Sequence, residues 1–196
     1  MTQLELLKFI QSCEARRVFF YPRSILRQQF AKESEDTFER SMSRHVSNGV
    51  LERAARGIYA SVRARELDAP LSAFANIFRP MDLFYLSLES ALTDVSVISQ
   101  TPGVNSIVTN GAPENLNTPY GRIEFVHSKK RLCEGEFFFD EYRQMLVASP
   151  ARAYDDMVRL NRSTLDLVDL DELKIAQADF ERDHPILPET ISPPSP

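Results

Sequence analysis

Apolar residues at helical spacing open the chain: Leu4, Leu7 and Ile10, with Leu6 and Cys13 close by, predict a helix near residues 2–15. The apolar stretch Val18-Phe19-Phe20-Tyr21 then runs into Pro22, which suits the first position of a second helix. That helix is expected to turn Ile25, Leu26 and Phe30 inward and Arg23, Arg27 and Gln28 outward. A third helix is predicted over Thr37–Asn48, with Asp36 as N-cap, Glu39 three residues on in a carboxylate variant of the capping box, and Gly49 just past its end. Phe38, Met42 and Val46 fall in one narrow stripe of it, and Arg40, Ser43, Arg44 and Ser47 on the opposite side. Two short strands follow, Val50–Arg53 and Ile58–Ser61, around a turn in which Gly57 supplies positive φ.

Beyond residue 66 the pattern becomes mixed α/β. It predicts a connecting helix over Leu71–Phe78 ended by Pro80, a strand at Leu83–Leu86, and a helix from an N-cap at Ser87 through Val95. Short β segments are expected at Ser106–Thr109, Arg122–His127, Glu136–Phe139 and Gln144–Val147. Ser149 and Pro150 start a further helix carrying Met157, Val158 and Leu160, and Leu170–Arg182 forms a last one. The predicted fold class is therefore α+β, an N-terminal winged helix-turn-helix domain (1–66) followed by a linker helix (67–80), a mixed α/β domain (81–184) and a Pro-rich tail (185–196).

Composition narrows the class. The 196 residues are 43% hydrophobic and 26% charged, ordinary for a globular protein. No apolar run approaches the ~20 residues of a membrane span, and the first residues have no basic and apolar regions of a signal peptide. Two cysteines, Cys13 and Cys133, are too few for a disulfide framework, so a cytoplasmic location is expected. The formal net charge of -5 hides an asymmetry. Residues 1–65 hold 12 basic and 7 acidic side chains, whereas residues 66–196 hold 11 basic and 21 acidic. A basic module of this kind meets a polyanion.

The predicted third helix fits a DNA major groove: arginine forks take guanine edges or phosphate, and hydroxyls adapt to either. Three short helices followed by a β-hairpin is the winged variant of helix-turn-helix, with Arg53 and Arg56 at the wing. The candidate DNA-binding set is therefore Arg23, Arg27, Arg40, Ser43, Arg44, Ser47, Arg53 and Arg56. A single reading head of this kind reads few bases, so pairing of chains on repeated half-sites is expected.

No catalytic constellation is legible. Glu89, Asp94 and Glu124 invite comparison with metal-dependent nucleases, but Glu124 lacks the companion lysine two residues on and is expected to be an outward strand residue. His45, His127 and His184 show no metal-ligand spacing, and no P-loop, dinucleotide fingerprint or nucleophile elbow occurs. The expectation is a protein that is not an enzyme and binds no metal or cofactor. Cys13 is expected to be a small buried hydrophobe, and Lys129-Lys130-Arg131 a solvated loop or a second anionic contact.

Several segments carry a resemblance. Leu51-Glu52-Arg53-Ala54-Ala55-Arg56-Gly57-Ile58-Tyr59 resembles the wing of the AbiEi-type antitoxins of type IV toxin–antitoxin (abortive infection) systems. Tyr85-Leu86-Ser87-Leu88-Glu89-Ser90-Ala91-Leu92 is similar to the start of that family's C-terminal antitoxin domain. Ile98-Ser99-Gln100-Thr101-Pro102, Tyr120-Gly121-Arg122-Ile123-Glu124-Phe125 and Ala148-Ser149-Pro150-Ala151-Arg152-Ala153 are similar to later parts, in the same order. The resemblance implies an autorepressor that binds promoter DNA repeats through the winged helix, while its C-terminal domain counters a co-encoded nucleotidyltransferase toxin. Two other readings of the residues stand beside it, a winged helix used only as a protein-interaction module and a degenerate metal-dependent nuclease.

Overall fold

The computed structural model describes residues 1–67, 71–100, 103–129 and 136–184. The chain is mixed α+β, with seven α-helices and two sheets among the described residues. It divides into two compact units, one of residues Met1–Asp82 with 116–122 and 141–144, the other of Leu83–Asn115, Ile123–Asp140 and the remainder from Met145. No described helix is long and apolar enough to cross a membrane.

In the first unit, α1 (Gln3–Glu14) starts at a capping box in which Thr2 and Glu5 satisfy each other's backbone. β1 (Phe20–Pro22) leads directly into α2 (Arg23–Gln29), with Pro22 at the N-cap. α3 (Glu35–Ser47) precedes the antiparallel hairpin of β2 (Leu51–Ala55) and β3 (Ile58–Ser61). β1 pairs with the other edge of β3, giving the strand order β1-β3-β2. One core joins Leu6, Ile10 and Cys13 of α1 to Tyr21, Leu26, Phe38, Met42, Val50 and Leu51. Cys13 is thus a buried core residue, as its position on α1 leads one to expect. α2 is only seven residues long and buries Leu26 alone, so Ile25, 100° away around the helix, is 47% exposed and does not face inward as its hydrophobicity implies. α4 (Leu71–Phe78) adds Phe74, whose ring meets that of Phe20 edge-on.

The second unit holds most of a six-stranded sheet of β4 (Phe84–Leu86), β5 (Asn105–Thr109), β6 (Glu114–Thr118), β7 (Gly121–His127), β8 (Phe137–Asp140) and β9 (Met145–Ala148), in the order β6-β7-β5-β4-β9-β8. β4 runs antiparallel to β5 but parallel to β9, and β5 runs parallel to β7. α5 (Leu88–Asp94) and α6 (Pro150–Arg159) pack together, and α7 (Leu170–Asp183) packs on α6. Ser149 caps α6 by accepting from the Arg152 amide, with Pro150 in the first turn. Arg152 and Asp156 of α6 are almost fully buried; Arg152 donates to Asp156 at 3.1 Å and to the Tyr85 hydroxyl at 2.8 Å, and the hydroxyls of Tyr85 and Ser87 donate to Asp156 at 2.9 Å. Thr101 and Pro102, Lys130, Arg131, Cys133 and the tail 185–196 lie outside the described residues.

Candidate nucleic-acid interface

The expected cap of α3 is corrected by two residues. Ser34, not Asp36, is the N-cap: its backbone is extended and its Oγ accepts from the Thr37 amide at 3.3 Å. Asp36 instead lies in the first turn with Glu35, where carboxylates complement the positive end of the helix dipole. The end of α3 follows expectation. Gly49 has φ +67°, and the amides of Gly49 and Val50 donate to Val46 and His45 carbonyls, the paired bonds of a Schellman ending.

These ends fix the roll of α3. Phe38, Ser41, Met42 and His45 are buried, whereas Arg40, Ser43, Arg44 and Ser47 are all exposed. Arg44 donates from Nη2 to the Met1 carbonyl at 3.2 Å. In the hairpin the register shifts between Arg53 and Ala55, and Gly57 takes φ +74°. Arg53 and Arg56 are exposed. Glu52 is half-buried and accepts from Arg65 at 3.1 Å and from the Tyr120 hydroxyl.

Arg23 and Arg27 differ from the other six. Both are half-buried, and both are ion-paired to α3. Arg23 donates from Nε to Glu39 at 2.7 Å and from Nη2 to both Glu35 and Glu39. Arg27 donates from Nε to Glu35 at 2.9 Å and from its other two nitrogens to the carbonyls of Phe30 (3.1 Å) and Glu33 (2.9 Å). The hydrogen bonds from Arg23 and Arg27 hold the Glu35 carboxyl below its ordinary range, and Glu39 with Glu35 holds Arg23 above its own. None of these partners was legible from the pattern of α2: Glu39 reads as a capping-box residue of the next helix, and Glu35 carries no signal of its own.

A second ionic cluster was also hidden in the sequence. Arg162, just past α6, donates to Glu89 of α5 at 2.7 Å and to both oxygens of Glu124 on β7 at 3.1 and 2.9 Å. Glu124 also accepts from Ser106, and Glu89 from Thr164. Burial pushes Glu89 up, but the bonds from Arg162 and Thr164 outweigh it and keep its carboxyl below the ordinary range. Glu124 is therefore half-buried and bridged, where an outward strand residue was expected. Two of the three carboxylates that invite a nuclease comparison, Glu89 and Glu124, do meet, but around a guanidinium. Asp94 is exposed near the end of α5, and among the described residues no three His, Cys, Asp or Glu side chains are placed to hold a metal ion. No protein-family model matches this chain, and no curated protein matches it.

Proposed function

We propose that this chain is a DNA-binding autorepressor whose N-terminal unit is a winged helix, with α3 as the reading helix and the β2–β3 hairpin as the wing. The observation that carries the reading is the outward face of α3. Arg40, Ser43, Arg44 and Ser47 are exposed together on one side of a helix whose opposite side is core. Two guanidinium forks and two hydroxyls are suited to guanine edges and phosphates. Arg53 and Arg56 extend the basic character to the hairpin, where a wing meets the flanking backbone. Binding is expected on promoter repeats, with chains pairing on the DNA.

The antitoxin half of the proposal rests on the ordered resemblance to AbiEi-type proteins and on the acidic character of the second half of the chain. In this reading the protein counters a co-encoded nucleotidyltransferase toxin, a partner met in the cytoplasm, and needs neither catalysis nor a cofactor of its own. Co-expression with the product of the adjacent gene tests it: growth arrest undiminished by this chain refutes the antitoxin role.

For the DNA half, gel retardation on the promoter upstream of its own gene is decisive. With about four to six phosphate contacts per chain, the affinity falls with salt on a log–log slope near -4 to -5. Arg40→Ala/Arg44→Ala loses about 1–3 kcal/mol per side chain, at least about 30-fold in Kd. Unchanged affinity in that variant removes α3 from the interface. Absence of salt-sensitive retardation by the wild-type chain favours the protein-interaction module instead.

A further inference from the structure

Arg23 and Arg27 lie one turn apart on α2 and face the first two turns of α3, where Glu35 and Glu39 are likewise one turn apart. The four side chains form a closed set. Both guanidinium groups also stand 5.5 Å from the centre of the Phe38 ring, which lies at the base of the cluster. All three nitrogens of Arg27 have protein acceptors, two of them carbonyls of the α2–α3 connection. On α3, Glu39 directly precedes Arg40 and is the i,i+4 neighbour of Ser43, so its carboxylate borders the exposed basic face.

We propose that Arg23 and Arg27 act on DNA indirectly, as positioning residues that fix α2 against α3 and neutralise Glu35 and Glu39 beside the reading face. The inference deepens the DNA-binding reading and rests on it. Phosphates approaching α3 meet two carboxylates at its edge unless a cation is bound to each, and like charges brought together in an interface weaken binding. A guanidinium that left Glu35 and Glu39 for a phosphate would expose that repulsion, so the ion pairs are kept in the complex. Arg40, Arg44, Arg53 and Arg56 then make the contacts, and the α2 arginines decide how acidic the edge of the reading helix is.

The test is a binding cycle on full-length wild type, Arg23→Gln, Glu35→Gln/Glu39→Gln and the triple variant, titrated against a duplex of the promoter upstream of its own gene. Arg23→Gln is expected to weaken Kd about tenfold in the wild-type background and less than about twofold once both carboxylates are neutral. An equal loss in both backgrounds identifies a direct phosphate contact by Arg23 and overturns the proposal. Urea unfolding of the same four proteins provides a readout without DNA: the clamp requires coupling between Arg23 and the two glutamates, and zero coupling overturns it. Failure of the underlying DNA reading is distinct, because the wild-type chain then retards no promoter DNA at all.

Discussion

His45 lies on the inner face of α3 at 1% exposure, and neither ring nitrogen completes a hydrogen bond. Burial pushes its pKa below the ordinary histidine value; the nearby Met1 backbone opposes this in part, while Arg44 and the amino group of Met1 add to it. The folded chain therefore holds His45 neutral under conditions in which the unfolded chain, titrating near ~6.5, takes a proton. Its contribution is complete above about pH 6.5 and is lost as pH falls toward the lowered folded value, with a slope of at most about 1.4 kcal/mol per pH unit. Urea unfolding at pH 7.5 and 5.5 measures this. A His45→Phe variant is expected to lose less stability over that interval than wild type. Equal losses would mean that another group titrates. Glu35 belongs to a lower window: its carboxyl is depressed by Arg23 and Arg27, so that contribution disappears only as pH falls below the ordinary carboxylate range.

Elements whose signals are local were legible, and those that depend on a distant partner were not. Gly49 after α3, Gly57 in the hairpin and the Ser149-Pro150 start of α6 act within a few residues of themselves, and each stands where its chemistry places it, whereas Pro22, expected at the first position of α2, is its N-cap, one residue outside the helix. α3 illustrates the limit. Three candidate caps, Ser34, Asp36 and Thr37, lie within four residues, and only the chain's approach direction decides that Ser34 accepts the amide bond. Ser34→Ala is accordingly expected to cost about 1 kcal/mol, and Asp36→Asn only a few tenths, since the latter loses only part of the dipole interaction. Thermal unfolding of the two variants compares them, and the reverse order would restore Asp36 as the cap. β6 escaped prediction because Glu-Asn-Leu-Asn-Thr offers no apolar alternation; it is an edge strand held by its pairing with β7. The candidate interface shows the same division. The outward set on α3 follows from its 3.6-residue period, whereas the Arg23–Glu39 and Arg162–Glu124 pairs bridge 16 and 38 positions of sequence and leave no periodic trace.

At the scale of the whole chain, charge and pattern change near residue 66, yet the compact unit that begins at Met1 continues past it to Asp82 and takes in 116–122 and 141–144. Named contacts account for this. Tyr120 meets Phe20 edge-on at 5.0 Å, stands 5.5 Å from the Arg65 guanidinium and donates to Glu52. Ser72 of α4 donates to the Arg143 carbonyl at 2.6 Å, Asn76 to the Gln144 carbonyl at 2.8 Å, and Arg17 lies 4.9 Å from the Tyr142 ring. A fragment starting at Leu83 keeps every strand of the six-stranded sheet but deprives these two segments of all those partners. Segments with few buried contacts open at low free energy, and proteases cut where the backbone opens. Trypsin has a target in each segment, Arg122 and Arg143. Both bonds are therefore expected to be cut at least about tenfold faster in the 83–196 fragment than in the full chain, with Arg152, a buried residue of α6, remaining protected in both. Mass spectrometry of timed digests reads the three sites separately. Equal cleavage at Arg122 and Arg143 in fragment and full chain would show that the partners in residues 1–82 do not hold them, whereas rapid cutting at Arg152 as well would show that the fragment has lost the sheet itself.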